Sequence, residues 1–141
     1  MKNIKVVGIA FIKDGKLLIS HSRKSSKQNK YTFVGGGVEP GETIYKAATR
    51  ECKEEIDDTF NITGEDFELI MSFTETAASD PNLLIDMNIL LATKEIDVEL
   101  KPNDEIIKYE WFSLGDDMNK LSDSISKHFI PYAEEKKLMY K

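Results

Sequence analysis

Three consecutive glycines, Gly35, Gly36 and Gly37, stand between two segments of different periodicity and constrain the fold more than any other feature. Residues 31–34 before them are typical of a short strand, and residues 43–56 have the spacing of an amphipathic helix. Glycine allows the backbone to turn sharply and to approach a ligand closely, although a tight turn alone also explains such a run. The chain is therefore expected to connect a strand to a helix through a glycine-rich turn.

Further strands are predicted on both sides of this unit, at residues 4–13, 17–23, 67–76, 83–93 and 108–113. Asp14 and Gly15 supply the positive φ angles of a tight hairpin turn between the first two strands. The first strand is apolar on both faces, which predicts a position inside a sheet. The fold class expected is α+β, with a mixed sheet and packed helices in a single domain.

The C-terminal tail, residues 116–138, is predicted to be helical. A spacing of four residues places Leu121, Ile125 and Phe129 on one stripe. Pro131 is expected to interrupt or redirect this helix, because proline has no backbone N–H to donate.

Length and composition are those of an ordinary globular domain. With 141 residues, of which 40% are hydrophobic and 31% charged, the chain is expected to form one domain over residues 1–141. The net charge of −6 disfavours a nucleic acid polymer as partner, because it would repel the phosphate backbone. A small anionic substrate stays open if local positive charge or a bound cation holds it.

Neither a membrane segment nor a secretion signal is predicted. The longest apolar runs, such as residues 89–92, are far too short to cross a bilayer, and charges interrupt the apolar stretch near the N-terminus. Cys52 is the only cysteine, so no disulfide forms within the chain. We therefore expect a cytoplasmic protein that does not act at a membrane.

The predicted helix has an apolar face. Tyr45, Ala48, Cys52 and Ile56 fall within about 80° of one another at 100° per residue, which predicts the stripe that packs on the sheet. On this stripe Cys52 is expected to be a small buried hydrophobic residue rather than a nucleophile.

A second face of the same helix is acidic. Glu51, Glu54 and Glu55 are neighbours in space, because offsets of three and four residues place side chains one turn apart. Like charges at this spacing cost roughly 0.2 to 0.5 kcal/mol per pair, and Arg50 can neutralise only one of them. A divalent cation such as Mg²⁺, which prefers oxygen ligands, is the natural counter-charge. A solvated acidic face is the simpler alternative.

The glycines and the acidic helix together resemble a known motif. Gly36, five residues, Glu42, seven residues and then the run Arg50 to Glu55 match the Nudix box, G-x5-E-x7-R-E-U-x-E-E-x-G-U, in which U is bulky and apolar. The resemblance covers residues 36–58 and includes every charged position. Asp57 and Asp58 depart from it, since they replace the closing glycine and the apolar residue after it.

This resemblance implies an α/β/α sandwich and an activity. Nudix hydrolases cleave the diphosphate linkage of a nucleoside diphosphate joined to another group, and they require Mg²⁺ or Mn²⁺. The metal ligands carried over are Glu51, Glu54 and Glu55, with the carbonyl of Gly35 as a further one. Arg50 would orient the carboxylates by ion pairing, and Glu42 would support the loop.

Family members often recruit another acid from the loop before the last strand, and Glu105 stands in that place. It is predicted to be a metal ligand or the general base, with a solvated turn residue as the alternative. Spacing leaves open whether Glu51, Glu54 or Glu105 accepts the proton.

Candidate substrate-binding residues lie in and after the loop at residues 23–30. Arg23, Lys24, Lys27 and Lys30 could meet phosphates, and Tyr31 could stack on a base. A solvated loop and a core aromatic are the respective alternatives. Nucleoside triphosphates, ADP-ribose-type sugars and capped dinucleotides all stay open as substrates.

Two alternatives to an enzyme remain. One is a Nudix-fold module that binds a nucleotide or a protein without catalysis, although such modules usually lose acids of the box. The other is an unrelated α/β domain with an acidic helix. Because dimers are frequent in the family, a homodimer is an open prediction.

Overall fold

The computed structural model of the chain describes residues 2–23, 30–77 and 80–141. Within these ranges the chain forms seven strands and two α-helices. The strands are β1 (Lys2–Ala10), β2 (Ile12–Lys13), β3 (Lys16–Ser22), β4 (Val34–Gly37), β5 (Phe67–Ala77), β6 (Asp80–Ala92) and β7 (Ile106–Phe112). The helices are α1 (Ile44–Glu55) and α2 (Ile130–Glu135).

The strands form two sheets. The larger sheet has the order β4-β1-β6-β5, in which β1 is parallel to β6 and the other pairs are antiparallel. The smaller sheet has the order β2-β3-β7 and is antiparallel. The predicted mixed sheet and the inner position of the first strand are confirmed. The tight turn at Asp14 and Gly15 is also confirmed, since both have positive φ angles of 53° and 75°.

The prediction of one continuous first strand is wrong, because the chain passes from one sheet to the other at Phe11. Phe11 is 2% exposed, and its carbonyl oxygen accepts a hydrogen bond from the N–H of Leu18 at 2.9 Å. The break places this ring in the core. A segment that is apolar on both faces has no periodicity to mark such a break.

The two faces of the larger sheet carry separate parts of the core. Val34 and Leu90 pack with α1, whereas their chain neighbours Phe33 and Ile89 pack with the C-terminal tail. Successive residues of a strand point to opposite faces, so the sheet lies between α1 and the tail. The predicted α/β/α sandwich is confirmed.

The glycines belong to a strand, which corrects the predicted strand at residues 31–34. Gly35 pairs with Gly8 of β1, while Tyr31 and Thr32 form only isolated bridges. Gly35 has a φ of 148°, and a Cβ there would lie 2.0 Å from the carbonyl oxygen of Val7. Strand β4 can therefore approach β1 only because this residue has no side chain.

Helix α1 begins as its sequence predicts. The Thr43 hydroxyl oxygen accepts a hydrogen bond from the N–H of Lys46 at 3.1 Å and so caps the first turn. The buried face is rotated from the predicted stripe: Ala47 is fully buried, whereas Tyr45 is 38% exposed. The rotation brings Glu51 onto the face that packs on the sheet, so the placement of Tyr45 in the core was wrong.

The helix ends without the left-handed residue that a closing glycine would provide. Among the described non-glycine residues, positive φ occurs only at Asp14 and Lys137. Asp57 instead accepts hydrogen bonds from the N–H and hydroxyl of Thr59 at 2.9 and 2.8 Å, which forms a side-chain turn. Phe60 and Ile62 are 0% and 1% exposed, so they supply the apolar packing that Asp58 lacks.

The tail is not one helix as predicted. A π-helical segment, Ser124–Phe129, leads directly into α2, and Pro131 lies in the first turn of α2. The predicted stripe is confirmed, since Leu121, Ile125 and Phe129 are at most 1% exposed. In the described parts of the chain, no helix has the length and apolar character needed to cross a membrane.

Candidate active site

The three acids of α1 occupy two environments. Glu51 and Glu55 are buried, at 8% and 5% exposure, because they lie on the face turned toward β4. The side chain of Glu54 is 47% exposed. One end of the helix thus presents two buried carboxylates and one exposed carboxylate.

The glycines of β4 make room for the buried pair. The N–H of Gly35 donates a hydrogen bond to Glu55 Oε2 at 2.9 Å. At Gly36 a Cβ would lie 2.5 Å from Glu51 Oε1, so any side chain there would occupy the position of the carboxylate. The strand and the helix can lie this close because both residues are glycines.

Arg50 connects the acids to one another. Its guanidinium group binds Glu42 through two hydrogen bonds of 2.9 Å, and Nη1 donates to Glu51 at 3.0 Å and to Glu54 at 3.3 Å. Nη2 also donates to the carbonyl oxygen of Gly37 at 2.9 Å. The hydrogen bond from Arg50 and the N–H of Glu39 lower the pKa of Glu42 to about 2, so this carboxylate stays ionised. The predicted ion pairs of Arg50 are present.

Burial acts on the protonation of both buried carboxylates. Burial raises the pKa of Glu55 to about 8, although the N–H of Gly35 opposes the shift. Burial also raises the pKa of Glu51, against the effect of Arg50. Burial, the largest cause of both shifts, thus disfavours the ionised form of each carboxylate, and the negative charges of the neighbouring acids add to the effect.

Glu105 approaches this cluster from the loop before β7. The residue is exposed, and its carbonyl oxygen accepts a hydrogen bond from the N–H of Arg23 at 2.9 Å. Its negative charge contributes to the raised pKa values of Glu51 and Glu55. Four of the predicted acids, Glu51, Glu54, Glu55 and Glu105, thus interact electrostatically.

The carboxylate oxygens of these acids are of the chemical type that binds a divalent cation. Carboxylate oxygens are the ligands that Mg²⁺ and Mn²⁺ prefer, and the raised pKa values at Glu51 and Glu55 mark a place where positive charge would be favourable. Across residues 2–23, 30–77 and 80–141, no three acidic, histidine or cysteine side chains stand close enough to enclose an ion as they are. Arg50 holds two of the carboxylates in this arrangement.

A cleft of about 690 Å³ opens beside the glycines. Gly35 and Gly36 line it near the acids, and Lys30, Lys127 and His128 line it as well. None of Glu51, Glu54, Glu55 and Glu105 is among the described residues that line the cleft; Gly35 and Gly36 line it and also approach the carboxylates of Glu55 and Glu51. The predicted substrate residue Lys30 lies at this cleft.

Two other predicted substrate residues lie elsewhere. Neither Arg23 nor Tyr31 is among the residues lining the cleft. The Tyr31 ring packs against His21 at 4.9 Å, and burial together with a hydrogen bond to Glu110 raises its pKa to about 12. Arg23 binds the loop before β7 through its Nε and the carbonyl oxygen of Asp104, 2.7 Å apart. Of the other basic residues predicted for phosphate contact, Lys24 and Lys27 lie outside the described residues.

Sequence reasoning missed the wall of the cleft that the tail provides. The His128 ring stacks on Phe73 with centroids 3.7 Å apart and planes 8° apart. Glu75 accepts a hydrogen bond from the Ser124 hydroxyl at 2.7 Å and so joins β5 to the tail. The sequence did contain a signal for this wall. The apolar stripe of the tail packs on the sheet, so residues beside the stripe, such as Ser124 and His128, face the adjoining cleft.

The class of this protein is defined by the acidic helix α1, which packs on the glycine-rich strand β4 of the mixed sheet. Residues 2–133 match the family model of the NUDIX domain, so the chain belongs to the Nudix family. This finding confirms the resemblance of the box.

Individual relatives agree with this assignment. A segment of 57 residues is 40% identical to the CTP pyrophosphohydrolase of Escherichia coli (strain K12), and it covers 40% of this chain and 42% of that protein. The solution structure of the E. coli ORF135 protein has a TM-score of 0.73, with 21% identity over 96% of this chain and 92% of that chain. The MutT protein from Methanosarcina mazei Go1 has a TM-score of 0.76, with 20% identity over 96% of both chains. At these identities the two structures show a shared fold.

Proposed function

We propose that this protein is a metal-dependent Nudix hydrolase that cleaves the diphosphate linkage of a small nucleoside diphosphate derivative. The observation that carries this proposal is the position of Gly35 and Gly36, which line the cleft on one side and contact the carboxylates of Glu55 and Glu51 on the other. A diphosphate bound in the cleft would thus lie next to the acids.

The cation would be held by Glu51, Glu54 and Glu55, with Glu105 and the Gly35 carbonyl as further ligands. When bound, Mg²⁺ or Mn²⁺ supplies positive charge for the phosphate oxygens and activates water for in-line attack. Glu51, Glu54 and Glu105 are the candidates to accept the proton from that water.

Arg50 and Lys30 would have different tasks. Arg50 holds Glu42, Glu51 and Glu54 in fixed relative positions, which restrains the carboxylates before a ligand arrives. Lys30 lies at the cleft and would contact the anionic substrate. Positioning and charge neutralisation contribute most of the catalysis in phosphoryl transfer, so these contacts match the chemistry.

The choice of first substrates follows from the relative that is a CTP pyrophosphohydrolase. We propose nucleoside triphosphates, CTP among them, ahead of ADP-ribose and capped dinucleotides. The cytoplasmic location and the homodimer stay predictions.

A hydrolysis assay tests the proposal. The wild-type protein should hydrolyse at least one of these nucleotides, giving pyrophosphate or phosphate from a triphosphate and two phosphomonoesters from ADP-ribose or a dinucleotide, and only with Mg²⁺ or Mn²⁺ present. Glu54→Gln should reduce turnover by orders of magnitude and stay folded, because Glu54 is half exposed and contributes little to the core. Lys53→Gln, an exposed neighbour on the same helix, is the control. Hydrolysis that needs no metal, or that Glu54→Gln leaves unchanged, would refute the proposal.

A further inference from the structure

The loop at residues 103–105 is fastened to the end of α1 by one side chain. The Asn103 side-chain amide donates a hydrogen bond to the backbone carbonyl oxygen of Glu55. Its Oδ1 accepts hydrogen bonds from the N–H groups of Glu105 and Ile106, both at 2.9 Å. Asn103 therefore shapes the turn that carries Glu105 and also ties that turn to the helix.

The hydrogen bond from Asn103 goes to the Glu55 carbonyl group, which has no partner within the helix. The last four carbonyl groups of an α-helix have no partner within the helix, and Glu55 is the last residue of α1. The Tyr109 hydroxyl of β7 donates to the same oxygen. The end of α1 is thus joined to both the loop and the strand that follows it.

A second fastening comes from β3. The N–H of Arg23 donates to the carbonyl oxygen of Glu105 at 2.9 Å, and Arg23 Nε donates to that of Asp104 at 2.7 Å. These contacts give Arg23 a place in the support of the loop. The loop is consequently held from two sides, by β3 and by α1.

Electrostatics explains why the loop needs such support. The ionised carboxylates of Glu51 and Glu55, which are the forms that bind a cation, carry the same charge as Glu105, and the charge of Glu105 acts on both of them. An unsupported loop would move Glu105 away from these carboxylates, because like charges repel in a partly buried site. Any role for Glu105 beside α1 therefore requires a group that holds it there.

We propose that Asn103 is a positioning residue that holds Glu105 beside the end of α1, against the repulsion of Glu51 and Glu55, so that Glu105 adds to the binding of a divalent cation there. This inference rests on the proposed function and on the place of Glu105 in it. It adds a residue that the Nudix box does not include.

Mn²⁺ titration followed by electron paramagnetic resonance tests the inference without turnover. Asn103→Ala should weaken Mn²⁺ binding about tenfold, the effect expected when a support behind a metal ligand is lost. Glu105→Gln should weaken it at least as much, and the double variant should bind no more weakly than Glu105→Gln alone. Asn3→Ala, at an exposed asparagine of β1, is the matched control and should bind as wild type does.

Hydrogen exchange distinguishes the two roles of Asn103, which are to shape the turn at residues 103–105 and to bind the Glu55 carbonyl oxygen. In Asn103→Ala the N–H groups of Glu105 and Ile106 should exchange faster, since both lose their acceptor. In Asn103→Ser a hydroxyl can still accept from these groups but is too short to reach the Glu55 carbonyl. In Asn103→Ser the N–H groups of Glu105 and Ile106 should therefore stay protected from exchange, while the affinity for Mn²⁺ should fall.

The outcomes distinguish this inference from the proposed function. The inference would be overturned if Asn103→Ala bound Mn²⁺ as tightly as wild type. It would also be overturned if the losses of Mn²⁺ affinity in Asn103→Ala and Glu105→Gln added in the double variant. Either result would count even if wild type hydrolyses nucleotides. The expected Mn²⁺ effects without hydrolysis of any nucleotide would refute the proposed function and support the inference. A wild-type protein that binds no Mn²⁺ would overturn both.

Discussion

Gly35 and Gly36 differ in what would oppose a side chain at each position. A Cβ at Gly35 would meet the backbone of β1, 2.0 Å from the Val7 carbonyl oxygen, whereas a Cβ at Gly36 would meet the flexible end of Glu51 at 2.5 Å. Gly37 has open space around it. The first glycine is thus required by the sheet and the second by the site.

Alanine substitution should separate these two requirements. Gly35→Ala should lower the free energy of unfolding by about 3 kcal/mol or more, because backbone atoms cannot move aside as a side chain can. Gly36→Ala should fold but lose most of its turnover, because the carboxylate of Glu51 must leave its position. Gly37→Ala serves as the folding control. Urea unfolding and the hydrolysis assay measure the two effects, and a fully active Gly36→Ala would contradict the account.

The buried carboxyl of Glu55 makes the stability of the metal-free protein depend on pH. Its pKa is raised to about 8 in the folded protein, whereas an exposed glutamate has a pKa of about 4.3. The folded state thus binds this proton more tightly. The resulting stability is complete below the unfolded pKa and is lost as the pH rises through the folded one.

We therefore expect the free energy of unfolding, measured with urea in EDTA, to fall between about pH 5 and pH 8. The fall attributable to one proton is at most about 1.4 kcal/mol per pH unit. Glu55→Gln should show a shallower slope, because its amide has no proton to release. An identical slope in wild type and Glu55→Gln would exclude Glu55 as the cause.

Among the secondary structure elements, α1 concentrates the functional groups, and Arg50 determines how they are arranged. Lysine at this position would keep the charge but could not make the two parallel hydrogen bonds to Glu42 while also reaching the Gly37 carbonyl. The carboxylates of Glu51 and Glu54 would then lose their shared partner.

Arg50→Lys should lower kcat about ten- to hundredfold with a smaller change in KM, because the acids stay present but are held less firmly. Lys53→Arg, the reverse exchange at an exposed position of α1, is the control and should have little effect. Steady-state kinetics measures both variants. Full turnover in Arg50→Lys would show that the ion-pair network is not needed.

Elements were predictable from the sequence where periodicity or turn chemistry was strong. The acidic helix, the hairpin turn and the apolar stripe of the tail all follow local rules. The passage between sheets at Phe11 did not, because a stretch that is apolar on both faces looks the same on either side of the break. The π-helical segment was also missed, because π turns are rare and the apolar spacing of the tail is that of an ordinary helix.

Over the whole molecule, the sequence predicted which residues carry charge but not which of them are buried. Spacing alone made Glu51, Glu54 and Glu55 equivalent, yet packing on β4 buries only two of them. The cleft combines β1, β4, β5 and β6 with the tail. Tyr31 is not among its lining residues, although both of its chain neighbours, Lys30 and Thr32, line it. Such contacts join distant segments and leave no local pattern.

The central claim is that the acids of α1 hold a divalent cation at the cleft. Calorimetric titration of the folded protein with Mn²⁺ tests it most directly, with a variant in which Glu51, Glu54 and Glu55 are all changed to glutamine for comparison. The account predicts saturable binding by wild type and none by this variant, at matched urea midpoints. Binding that is equal in the two proteins, or a folded wild type that evolves no heat of binding, would contradict it.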